Sequence, residues 1–114
     1  LMSTTIDLDR TRGDTQRIVM RITDAAGAAV NISAWTQFKL TVDPSKAPAD
    51  GTTKLEEMIG IISSGGTDGR VHFIPSGTIA PGKYFYDAQA LDSNDEKYTF
   101  AAGRYTVTQD ITKT

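Results

Sequence analysis

The chain is organised around a run that opens at Pro81-Gly82 and continues Lys83-Tyr84-Phe85-Tyr86-Asp87-Ala88-Gln89-Ala90-Leu91-Asp92. Its even positions, Tyr84, Tyr86, Ala88 and Ala90, are apolar or aromatic. Its odd positions are mostly polar, with Asp87 and Gln89 at the centre. A period of two marks a half-buried β-strand. The polar turn Ser93-Asn94-Asp95-Glu96 follows, and Lys97 to Thr108 folds back as the second strand of a hairpin. Gly103 interrupts that strand between Phe100 and Tyr105, where a bulge would re-aim the side chains.

Upstream, Thr4 to Asp9 alternates with Ile6 and Leu8 on one face, and Arg10-Thr11-Arg12-Gly13-Asp14 forms a turn. Thr15 to Thr23 carries Ile18, Met20 and Ile22 at period two against Arg17 and Arg21, with Val19 as an exception on the polar side. Asp24-Ala25-Ala26-Gly27 is a turn signal. Gln37 to Asp43 has the cleanest pattern: Phe38, Leu40 and Val42 face one way, and Gln37, Lys39, Thr41 and Asp43 the other. Pro44 to Thr53 reads as an exposed loop suited to a contact arm. Glu56 to Ile62 fits a strand or one helical turn, and the strand is preferred. After the flexible Ser63 to Gly69 turn, Val71 and Phe73 point inward, with Arg70 and His72 outward. Val107 and Ile111 continue the inward face of the last strand.

Seven to nine short strands with no convincing helical period predict an all-β sandwich or barrel. Two residues favour an immunoglobulin-like antiparallel β-sandwich. Trp35 stands just before the third long strand, where such folds bury a tryptophan. Tyr84 enters the penultimate strand as a tyrosine corner would, its hydroxyl bonding back to upstream backbone. Tyr86 stands two residues on where antibody domains have cysteine, so packing must replace the disulfide. A length of 114 residues predicts one domain spanning 1–114.

The formal charge of −2 comes from interspersed charges of both signs, without a basic stripe, which argues against duplex nucleic acid as a partner. No apolar run approaches the roughly 20 residues of a membrane-spanning helix, and no apolar leader segment is seen. Leu1 precedes Met2 and carries no weight. With no cysteine there is no thiolate nucleophile or Cys-based metal site.

Each candidate for chemistry has a plainer reading. The single histidine, His72, reads as a surface residue, because no nucleophile or orienting carboxylate can be matched to it. One histidine and no cysteine do not make a zinc site. Asp92 to Glu96 resembles a calcium loop only faintly: the sixth position is Lys97 and the twelfth Gly103, where an EF-hand needs glycine and glutamate. Arg12-Gly13-Asp14 spells an integrin-binding tripeptide but reads first as a turn. Tyr84, Tyr86, Tyr98, Phe100 and Tyr105 are expected in the core by their placement. Phe85 and Ile74 fall on the predicted polar face and are candidates for a subunit contact. Asp87 and Gln89 share that face with Phe85, and Pro48 lies in the exposed loop. Asp87 lacks the second carboxylate of a glycosidase pair. No cofactor, metal or catalytic group is expected.

The order of motifs resembles a known group. Arg12-Gly13-Asp14-Thr15, Thr23-Asp24-Ala25-Ala26-Gly27, Val30 to Thr36 leading into Phe38 to Val42, Gly69 to Phe73, Pro81 to Gln89 and Gly103 to Thr108 together are similar to the small immunoglobulin-like proteins of tailed bacteriophages and prophages. That group includes the N-terminal domain of baseplate upper proteins. The resemblance implies a non-enzymatic virion structural protein of the tail, baseplate, neck or capsid surface. It would bind other phage structural proteins and copies of itself, in the virion and in the host cytoplasm during assembly. Baseplate upper proteins continue into further domains, a departure from the pattern. The competing expectation is a carbohydrate- or host-receptor-binding module.

Overall fold

The alternation read from the sequence becomes strands along most of the chain. The computed structural model describes residues 4–5, 7–13, 15–44 and 54–109. In chain order the strands are β1 (Thr4–Thr5), β2 (Leu8–Thr11), β3 (Ile18–Arg21), β4 (Gln37–Asp43), β5 (Glu56–Ile59), β6 (Ile61–Ile62), β7 (Arg70–Phe73), β8 (Gly82–Leu91) and β9 (Lys97–Thr108). β1 and β2 share one parallel register on β9, with Thr4 opposite Ala101 and Leu8 opposite Tyr105. Taken together as one strand, they bring the total to eight.

The strands form two sheets. The larger has the order β1-β9-β8-β4-β5, with β2 also on β9, and the smaller is β3-β7-β6. The molecule is therefore an all-β, two-sheet sandwich. Inward side chains alternate as expected: Ile18, Met20 and Ile22, then Phe38, Leu40 and Val42, then Val71 and Phe73, then Tyr86, Ala88 and Ala90 are buried. Sealing each of the larger aliphatic and aromatic side chains from water is worth about 1.5–3 kcal/mol. Asp43 keeps the outward register, opposite Phe85, yet is buried at the end of β4.

The break in β9 lies earlier than expected. Ala88 pairs with Ala101 and Gln89 with Thr99, leaving Phe100 as the extra residue of a bulge. Gly103 pairs regularly with Tyr86. The bulge changes which parity of β9 faces inward, so the consecutive residues Phe100 and Ala101 are both buried, followed by Tyr105 and Val107.

Two corners fix the chain. The Tyr84 hydroxyl donates to the Ala80 carbonyl at 2.7 Å, the back-bond anticipated for that residue. Trp35 is half-buried at the core margin and stacks on Phe38 and Tyr98, with ring centroids 6.2 and 5.8 Å apart.

The Glu56 to Ile62 run is strand, divided between the sheets. β5 pairs with β4, β6 pairs with β7, and Gly60 is the crossing point. A Cβ on Gly60 would stand 2.6 Å from Phe38 Cβ, 2.7 Å from Phe73 Cε1 and 2.9 Å from Val71 Cγ2. Only a residue without a side chain fits where the strand passes between the layers. Residues 45–53, including Pro48, lie outside the described residues, as do Ile6, Asp14 and Ile111.

Two stability effects are expected. Gly60→Ala should destabilise by about 1–3 kcal/mol, the usual cost of overpacking a filled core, seen as a lower urea midpoint with an unchanged slope. Tyr84→Phe should cost about 0.5–1.5 kcal/mol through loss of one hydrogen bond.

Candidate functional site

Outward side chains on the large sheet build a groove. Phe85, Asp87 and Gln89 lie at period two along β8 and are half-buried. β9 supplies Arg104 opposite Phe85 and Ala102 opposite Asp87. Asp7, just before β2, reaches over so that its Oδ1 accepts from the Arg104 backbone N–H at 3.0 Å. Asp7, Phe85, Asp87, Thr99, Gly103 and Arg104 line a hollow of about 550 Å³. A smaller hollow of about 80 Å³ follows at Gln89, bordered by Gln37, Lys39 and Lys97.

The electrostatics of this groove are uneven. Burial holds the Asp87 carboxyl above the ordinary aspartate range, opposed by the Gln89 amide, whose Nε2 donates to Asp87 Oδ2 at 3.5 Å. Tyr86, beneath the same wall, is pushed up to about 12 by burial and by the Asp7 charge.

The outward face of the small sheet is different in kind. Val19 pairs with His72 across β3 and β7, and Ile61 pairs with His72 from the other side. Val19, Ile61 and Ile74 are 60%, 51% and 50% exposed, so this row is apolar and open to solvent. His72 is half-buried between its neighbours, and its Nδ1 shares a 2.8 Å hydrogen bond with the Ser63 hydroxyl. Arg17 and Arg21 flank Val19 along the chain and are exposed. Arg70 faces Arg21 across the β3–β7 ladder, and its Nε lies 3.6 Å from Asp68 Oδ2.

The structure brings Phe85, Asp87 and Gln89 together and separates them from Ile74, which directly follows β7 in the other sheet. Pro48 lies outside the described residues. Asp7, Thr99 and Arg104 are additions to the expected set. Arg104 faces outward only once the bulge has re-phased β9, and Asp7 reaches the groove through a parallel pairing with the far end of the chain. Val19 was already visible as an apolar residue on a polar face.

The other motifs resolve into turns. Gly13 has φ 94°, and its N–H donates to the Gly77 carbonyl at 3.0 Å, which fixes the glycine of the Arg12-Gly13-Asp14 tripeptide in a turn conformation. Asp92 Oδ1 accepts from the Asn94 and Glu96 backbone N–H groups at 2.8 and 2.9 Å, which engages that carboxylate in its own loop. Among the described residues, no three His, Cys, Asp or Glu side chains gather as a metal site.

Fold and surfaces together define an all-β sandwich with two open outward faces. No family model matches the chain, and no curated protein matches it in sequence. Among solved structures it is similar to CopC from Methylosinus trichosporium OB3b, with a TM-score of 0.51 at 11% identity over 100% of this chain and 91% of that one. An uncharacterized protein from Bacillus anthracis str. Ames gives 0.47 at 11% identity over 94% and 86% of the two chains. At this identity the CopC likeness shows the fold alone.

The raised Asp87 carboxyl gives a pH test. Its folded-state pKa exceeds the unfolded one, so ionisation weakens the fold. That penalty is absent below the unfolded pKa and grows as pH rises through the folded pKa. Asp87→Asn should therefore melt higher than the wild type at neutral pH and match it in acid. The difference should be small, because water screens a half-exposed group. Thermal melts across a pH series check it.

Proposed function

We propose that the chain is a non-enzymatic structural protein of a phage particle: an immunoglobulin-like sandwich that docks its small-sheet face on neighbouring particle proteins. The observation that carries the reading is the open row of Val19, Ile61 and Ile74 around His72, flanked by Arg17, Arg21 and Arg70. An apolar centre within a polar, arginine-containing rim is how protein interfaces are built, and exposed apolar clusters on sheet faces are common contact sites. The back-bond from Tyr84 and the stacked Trp35 support the immunoglobulin-like assignment.

Charge narrows the partner. Two copies meeting through this face would oppose arginine to arginine, whereas a surface with acidic groups around an apolar patch would complement it. The partner is then a different protein, or a different face of a second copy. A contact of that second kind is heterologous and builds rings or filaments.

Mass spectrometry of purified particles should find the chain in the virion. Val19→Asp and Ile61→Asp should each reduce incorporation while leaving the melting temperature near the wild-type value, because both side chains are exposed. Absence from particles, or unchanged incorporation of the double variant, would overturn the reading.

A further inference from the structure

The groove on the large sheet carries chemistry that docking through the small sheet leaves unused. Its size, about 550 Å³, falls in the range of small-molecule sites, about 300–1,000 Å³. Phe85 offers a half-exposed ring beside hydrogen-bonding groups of every type. Asp87 can accept, Arg104 can donate, and Thr99 and Gln89 can do both.

The balance of charge selects the ligand class. Asp7 and Asp87 are acidic and Arg104 is basic, so a simple anion or cation would meet a like charge as well as an opposite one. Asp87 receives one long hydrogen bond from Gln89 and is half-buried, so it gains from uncharged donors. A neutral molecule rich in hydroxyls supplies donors to Asp87 and acceptors to Arg104 together. The C–H face of a sugar ring can also lie on Phe85, where aromatic surface gains most from close apolar contact.

We infer that this groove binds a neutral saccharide, with Phe85 as the stacking platform and Asp87, Gln89 and Arg104 as its hydrogen-bonding partners. A smaller hollow of about 80 Å³, bordered by Gln37, Lys39 and Lys97, continues the surface past Gln89 along β8. The site lies on a different sheet from Val19 and Ile61, so it stands or falls separately from particle docking.

The test is a titration of the isotope-labelled full chain with cellotriose, maltotriose and chitotriose, followed through its amide signals. Shifts centred on Phe85, Asp87, Gln89, Gly103 and Arg104 at millimolar sugar are expected. Phe85→Ala and Asp87→Ala should each weaken binding by about tenfold or more, with the spectrum otherwise retained. Val19→Asp should bind as the wild type does. No shift with any of the three sugars, shifts centred elsewhere, or unaltered binding by Phe85→Ala would overturn the inference. So would a methylammonium ion that binds more tightly than every sugar.

Discussion

The pairing of β8 with β9 is the constraint on which the other strands depend. β8 runs for ten residues and bonds to β9 along its whole length, while β4 covers its other edge. Both partners must present apolar side chains to the same interior. β9 does so only because Phe100 is bulged out of register, which lets Phe100, Ala101, Tyr105 and Val107 all reach the core. Without that extra residue, one half of β9 would turn its apolar side to water. The small alanines at 88 and 101 meet at the bulge and leave room for Phe100 and the aromatic rings beyond it.

The second constraint is the thin crossing at Gly60. There the chain leaves the edge of one sheet and enters the edge of the other within a single residue, packed between Phe38 and Phe73. This fixes the two sheets together where no long connection does so. It also divides the outside of the molecule into two unlike surfaces. One is basic with an apolar centre, around His72. The other is a mixed polar groove beside Phe85. Both rest on rigid ladders, so their side chains are held by strand register more than by loops.

Much of the fold is legible in the sequence because alternation survives in β3, β4, β7 and β8, where the apolar residues at period two are the buried ones. Val19 and Ile74 were legible for the converse reason, as apolar residues on faces that should be polar. The bulge was only half legible. The change of parity between Phe100 and Tyr105 shows that one must exist, but glycine attracts the assignment while the residue actually displaced is an aromatic. The sheet crossing at Gly60 left no local mark, since a glycine in a short apolar run fits several geometries. Asp7 and Arg104 were invisible as partners. They are separated by almost the whole chain and meet only because the first strand lies parallel to the last.

That parallel arrangement has a mechanical meaning. β1 and β2 run alongside β9 in the same direction, so tension applied through Thr4 and Thr108 would pull the two strands past each other along their length. The hydrogen bonds between them would then carry the load together and give way as a group. An antiparallel pairing of the same strands would peel open one bond at a time. The order of the strands thus equips this small sandwich to withstand stretching along its own axis.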